Sequence, residues 1–145
     1  MSQVRNLFMP AIDQQTDLFL QQTRVAILGT INNDGSPLLS PMWFTWENSV
    51  VNMITRRSSV KWRNLQTRPL ASLCVDDRNI PYAAVILYGP ILEIRAPIYE
   101  FIGSMARRYL GETNGLEFAE PYKNNSDSSV VFQLTPERIV INLNR

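Results

Sequence analysis

The sequence predicts a mainly β protein, a small antiparallel barrel of about seven short strands with two or three helices. Three observations carry this reading. Short apolar runs rich in Val, Ile, Leu and aromatic residues recur along the chain. Turn signals such as N-D-G, E-N-S and T-P-E separate most of them. Helical spacing is confined to brief stretches, which fits a barrel of turn-linked strands better than the strand-helix alternation of a doubly wound sheet. A chain of 145 residues, 45% of them hydrophobic, fits one domain, residues 1–145, whose core needs no metal or disulfide staple.

Residues 13–22 read as a short helix capped by Asp13 and carrying Leu18 and Phe19. Residues 24–31, R-V-A-I-L-G-T-I, form a strand that runs into N-N-D-G at 32–35, a strong hairpin turn. The chain returns as a second strand over 36–46, turns at 47–49, and continues as a third over 50–54. Ser58 or Ser59 caps a helix of about two turns over 60–65. A fourth strand at 70–75 ends at Asp76-Asp77, and a fifth at 82–94 contains Gly89-Pro90, the mark of a bulge, bend or break. Residues 97–110 turn helical, with Tyr99, Phe101, Ile102, Met105 and Tyr109 on a broad apolar face and Gly111 as the stop. The polar stretch 111–126 reads as irregular, and strands at 129–134 and 138–143 follow. No internal repeat or linker divides the chain.

The chemistry concentrates at residues 55–64, T-R-R-S-S-V-K-W-R-N, where a strand passes into a helix. Such a junction presents free backbone N–H groups and the positive end of the helix to an anion. Arg56, Arg57 and Lys61 can reach the same anion, with the hydroxyls of Thr55 and Ser59 between them. No acidic residue lies between Thr55 and Arg68. An anion site and a solvated helix face both account for the cluster at this stage. A second segment, Ser40-Pro41-Met42-Trp43, has a proline inside a strand-like run, which implies an edge, an interruption or a place where a ligand approaches the backbone. A planar ring fits such an opening, and so does ordinary core packing. If the strand ending at Ile54-Thr55 is the hairpin partner of the strand holding Ser40-Pro41-Met42, one phosphate-bearing ring spans both segments.

Composition excludes several classes. A formal net charge of +1 with one compact basic patch argues against a nucleic-acid surface and for a small anionic ligand. The chain has no histidine and one cysteine, which removes Ser-His-acid and Cys-His triads, His-containing zinc sites and any internal disulfide. Cys74, between Leu73 and Val75, reads as strand filler. Reactive chemistry would therefore belong to a bound organic cofactor. No run is long and apolar enough to span a bilayer, and the N-terminus lacks a signal-type pattern, so a soluble cytoplasmic protein without membrane partners is expected.

Three segments, G-T-I-N-N-D-G-S-P-L-L-S-P-M-W-F, I-T-R-R-S-S-V-K-W-R-N-L-Q-T-R-P-L-A-S-L-C-V-D-D and I-P-Y-A-A-V-I-L-Y-G, together resemble the split-barrel superfamily of pyridoxamine-phosphate-oxidase-like proteins, and in particular its flavin- and deazaflavin-dependent oxidoreductases, which include F420-dependent members. The resemblance runs from Val25 to Ile94, with A-R-R-Y-L-G at 106–111 as a weaker match. It implies a six- or seven-stranded antiparallel split barrel that forms a homodimer with cofactor sites along the interface. It further implies that Ile54, Thr55, Arg56, Ser59, Lys61 and Asn64 belong to a phosphate or ribityl pocket and that Ser40, Pro41 and Met42 flank the ring. Arg57 is assigned to the same pocket, although neighbouring side chains on an extended segment face opposite ways. Arg107 or Arg108 serves either an anionic tail or an interface ion pair.

The cofactor so implied is F420, with FMN as the alternative and another ligand or lost binding as the remaining case. The implied activity is hydride transfer between bound F420 and a small conjugated substrate; an FMN-dependent reductase or oxidase and a non-catalytic flavin carrier are the alternatives. No catalytic residue is assigned. Tyr82, Tyr88 and Tyr109 are possible pocket donors. The pyridoxamine-phosphate oxidases proper are longer and use additional C-terminal basic residues, whereas this sequence stops at Asn142-Leu143-Asn144-Arg145. A related redox fold without true pyridoxamine-phosphate oxidase activity is expected.

Overall fold

The computed structural model describes residues 10–125 and 127–143; residues 1–9, to which the expectation of no signal-type pattern refers, Ser126, and Asn144 and Arg145 lie outside the described residues. Helix α1 (Gln14–Gln21) starts at Asp13, whose carboxylate accepts the Thr16 N–H at 2.7 Å. Its Phe19 and Leu20 are fully buried. The remaining elements are β1 (Ala26–Ile31), β2 (Pro37–Met42), β3 (Thr45–Glu47), β4 (Val50–Arg56), α2 (Val60–Thr67), β5 (Leu70–Asp77) and β6 (Ala83–Ile94). After them come α3 (Ile98–Leu110), α4 (Glu112–Ala119), a 3-10 turn (Glu120–Tyr122), β7 (Ser129–Leu134) and β8 (Arg138–Leu143).

All strand pairs are antiparallel, in the order β2-β1-β5-β6-β7-β4-β3, with β8 also paired to β6. The two ends of this path, β2 and β3, are consecutive in sequence, so Trp43-Phe44 bridges the seam of the split barrel. β6 turns the corner. Its residues 83–90 pair with β5 and 83–88 with β8, whereas 91–94 pair with β7. The change of partner falls at Gly89-Pro90, where the sequence predicts a bend. Only glycine fits there, because a Cβ at position 89 would sit 1.9 Å from the Thr135 carbonyl oxygen. The Glu137 N–H donates to Tyr88 O at 2.8 Å and the Thr135 N–H to Pro90 O at 3.2 Å, so the bend keeps its backbone bonds.

The barrel interior is filled by the strand residues Leu28, Met53, Leu87 and Phe132 and by Phe44 from the seam, all essentially inaccessible. Each contributes about 1.5–3 kcal/mol by burial. α2 docks on this core through Trp62 and Leu65, with the Trp62 ring 5.7 Å from that of Phe132. That docking fixes the helix N-terminus at the end of β4. Among the described residues no helix is long and apolar enough to cross a membrane.

Four expectations are corrected. The strand expected over 36–46 is two strands, because the chain leaves β2 after Met42 and pairs with β4 only from Thr45 onward. The segment holding Ser40-Pro41-Met42 is therefore not the hairpin partner of β4; it pairs with β1, with Pro41 opposite Ile27, and forms an edge of the sheet. Residues 112–122 are helical rather than irregular, since Gly115 and Ala119 bury one face of α4 against α3. Among the described residues there are four α-helices, against the two or three expected, while the strands form the expected antiparallel split barrel with β3 as the piece divided from 36–46.

Candidate functional site

A cleft of about 490 Å3 opens where β4 gives way to α2. Ser59, the N-cap of α2, accepts the Trp62 N–H at 3.2 Å, and its hydroxyl lies 3.3 Å from that of Thr55. The Ser59 N–H donates to Arg56 O and the Arg57 N–H to Ser128 O, which ties the turn to the chain entering β7. The polar end of the cleft is lined by Thr55, Arg56, Ser58, Ser59 and Lys61. No carboxylate lines the cleft, and neither Arg56 nor Lys61 has a carboxylate within ion-pair distance among the described residues. Two unpaired cations, three hydroxyls and the first-turn amides of a helix form a set of donors suited to a phosphate dianion.

The opposite end is aromatic. Trp43, leaving β2 at the seam, stacks face to face on Tyr109 with ring centroids 4.8 Å apart and an interplanar angle of 5°. Phe118 on α4 meets Trp43 at 5.3 Å and Tyr122 at 6.1 Å. Trp43, Phe118 and Tyr122 line the cleft, over a floor that includes Ile102 and Met105 of α3. Tyr109 secures the wall from behind: its hydroxyl donates to Arg24 O at 2.6 Å and accepts the Phe44 N–H at 3.1 Å. The arrangement offers cationic and hydroxyl donors at one end and flat apolar surface at the other. Among the described residues no group of three or more His, Cys, Asp or Glu is placed to hold a metal.

Ile54, Thr55, Arg56, Ser59 and Lys61 all line this cleft; Ser40, Pro41, Met42, Arg57 and Asn64 do not. Pro41 is exposed and Met42 buried on the edge strand. Arg57, the first turn residue after β4, instead pairs with Glu93 in a separate polar groove, so its expected place in the pocket is corrected. Asn64 is buried, and its amide donates to Thr30 Oγ1 at 3.1 Å and Asn32 Oδ1 at 2.9 Å. Arg107 lies 3.9 Å from Glu112. Arg108 donates to the Gln21 and Gln22 carbonyls at the end of α1. Tyr88 lies under Arg138, and neither Tyr82, Tyr88 nor Tyr109 lines the cleft. Phe118 and Tyr122 were not legible as site residues, because they sit in the stretch read as irregular; the signal available was the spacing of Gly115, Leu116 and Ala119 on a helix.

The family profile of pyridoxamine 5'-phosphate oxidase matches residues 12–142. The chain belongs to that family. Its fold is the family's split barrel, and several solved structures share it. An F420 reductase is similar at 20% identity over 89% of this chain and 98% of its own, with a TM-score of 0.72. A conserved hypothetical protein from Mycobacterium tuberculosis is 21% identical over 90% of this chain and 84% of its own, with a TM-score of 0.71. HutZ, the haem storage protein from Vibrio cholerae, is 13% identical over 91% and 95%, with a TM-score of 0.67. At these identities the likeness is one of fold, and the diversity of the names shows that the fold alone does not choose a ligand. No curated protein matches the chain in sequence. Family and fold are consistent with a flavin- or deazaflavin-binding oxidoreductase.

Proposed function

We propose that the cleft binds a phosphorylated tricyclic redox cofactor, F420 first and FMN as the alternative, and that the protein is an oxidoreductase passing hydride between it and a small conjugated organic substrate. The observation that carries this reading is the pairing, in one cleft, of unpaired Arg56 and Lys61 at a helix N-terminus with an aromatic wall. When bound, the cofactor supplies the hydride chemistry. This chain's residues do the rest: Lys61 and Arg56 neutralise the phosphate, Thr55 and Ser59 orient it, Ile54 lies beside it, and the aromatic wall excludes water from the ring. No side chain is assigned a proton-transfer role.

In this reading the whole chain, 1–145, acts as one cofactor domain and pairs with a second copy. Exposed Leu39, Leu70 and Leu92 offer apolar surface for that pairing. Ser40, Pro41 and Met42, which do not line their own chain's cleft, would flank a ring only across such a dimer. Arg57 and Asn64 take structural roles. Pyridoxamine-phosphate oxidase activity is not expected, nor is a nucleic-acid or membrane partner. A non-catalytic carrier is the second reading, favoured by the lack of any carboxylate, thiol or imidazole among the cleft-lining residues.

Titration of the purified protein with F420 and FMN at equal ionic strength, with mass measured in parallel, tests the proposal. Preferential F420 binding by a dimer supports it, FMN preference redirects it, and binding of neither rejects it. Lys61→Ala should weaken binding of the preferred cofactor by about 1–3 kcal/mol in a variant of unchanged mass and fold. Unchanged affinity removes Lys61 from the cradle.

A further inference from the structure

The aromatic end of the cleft is built by an element the strands do not supply. α4 lies on α3 so closely that a Cβ at Gly115 would come within 2.6 Å of the Arg107 backbone N and Cα. No side chain fits there, so glycine is what allows α4 to seat. Three residues farther along, almost one helical turn, Phe118 reaches across to the face-stacked Trp43–Tyr109 pair. Phe118 is 44% exposed, too open to be core filler, yet it lines the cleft and contacts both Trp43 and Tyr122.

We propose that Phe118, seated by the Gly115–Arg107 contact, is the specificity-determining residue of the cleft: it supplies the ring subsite and so decides how strongly a phosphorylated ligand is favoured as its ring system grows. This rests on the phosphate cradle proposed above, but the two are separable. The cradle holds the phosphate whatever is attached to it, whereas Phe118 acts only on the ring. Trp43, backed by Tyr109, is the fixed side of the subsite and Phe118 the side carried on a helix.

The test compares phenyl phosphate, 1-naphthyl phosphate and FMN, which carry one, two and three fused or single rings on a phosphate, by calorimetric titration of the full chain. Parent protein should bind them in rising order. Phe118→Ala should leave phenyl phosphate nearly unchanged and weaken FMN by roughly 3- to 10-fold, the range expected for one lost aromatic contact. Phe118→Leu, which keeps apolar bulk and guards against a folding defect, should fall between. Gly115→Ala, which forces α4 outward with Phe118 still present, should reproduce the ring-selective loss. Without ligand, acrylamide quenching of tryptophan fluorescence should rise in Phe118→Ala and Gly115→Ala, because Trp46 and Trp62 are buried and Trp43 is the partly exposed indole that loses its cover. Equal loss for all three ligands, or no loss for FMN, overturns the proposal. If the parent binds no phosphate at all, the cradle fails, while the quenching result still judges whether Phe118 covers Trp43.

Discussion

Asn64→Ala separates a structural amide from a ligand contact. The resemblance to flavin-binding split barrels implies that Asn64 touches the cofactor, but its side chain is buried and donates to Thr30 Oγ1 at 3.1 Å and Asn32 Oδ1 at 2.9 Å. It thereby bolts α2 to β1 and to the turn that follows it. Each neutral hydrogen bond contributes about 0.5–1.5 kcal/mol. Asn32 is partly exposed and can turn to water, whereas Thr30 is buried and loses its donor outright. The expected loss is therefore about 2–3 kcal/mol, a fall of roughly 4–12 °C in Tm for a chain of this length. Urea and thermal melts followed by circular dichroism, at fixed protein concentration, read that loss. The affinity of the folded variant for F420 or FMN should stay that of the parent. Asn64→Asp should also destabilise, since it removes the donor to Asn32 Oδ1 and puts a carboxylate at a buried position. Burial raises the pKa of that carboxyl in the folded state, so the variant loses stability as pH rises above the unfolded carboxylate value and recovers part of it on acidification. Parent-like stability combined with weakened cofactor binding would refute the structural assignment and return Asn64 to the ligand pocket.

Two further substitutions probe the wall and the first helix. Tyr109→Phe keeps the ring stacked under Trp43 but removes the partner of the Phe44 N–H and the donor to Arg24 O, so stability should fall by about 1–2 kcal/mol and the near-UV dichroism of Trp43 should weaken; an unchanged melt would show that the seam is held without it. Asp13 caps α1, and the Thr16 backbone N–H that it accepts holds its carboxyl below the ordinary carboxylate value. A depressed carboxyl adds stability above the unfolded pKa and loses it as pH falls through the folded one. The stability gap between the parent and Asp13→Ala should accordingly be constant near neutrality and close on acidification below the carboxylate range, whereas Asp13→Asn, which caps without titrating, should show a flatter profile; a gap independent of pH would sink the capping account.

Local chemistry made much of this molecule readable in advance. Short apolar runs bounded by turn residues place β1, β4, β5 and β7, because four to eight buried residues between turns suit a strand and are too few for a helix. Asp13 and Ser59 mark helix starts since each offers an oxygen to an orphan N–H within its own first turn. Gly89-Pro90 marks the corner of β6, and the R-R-S-S-V-K run marks the polar end of the cleft, where Thr55, Arg56, Ser59 and Lys61 are neighbours along one strand-turn-helix junction. These features are set by interactions within a few residues, so a linear reading reaches them.

Pairing across the barrel was beyond that reach. The N-N-D-G turn already placed β2 on β1, but where the chain leaves that pairing to give Thr45–Glu47 to β4 depends on the Trp43-Phe44 break, where Phe44 is buried and its N–H meets the Tyr109 hydroxyl from the far end of α3. The helicity of 112–119 is likewise a tertiary result: Thr113, Asn114 and Gly115 in succession are weak helix formers, but Gly115 permits contact with Arg107 that a larger residue would prevent. The sequence alone determined the cationic, hydroxyl-rich end of the cleft, because its donors are adjacent in the chain. Only the tertiary structure decided the aromatic end, because Trp43, Phe118 and Tyr122 meet through packing between segments far apart in sequence, where periodicity carries no information.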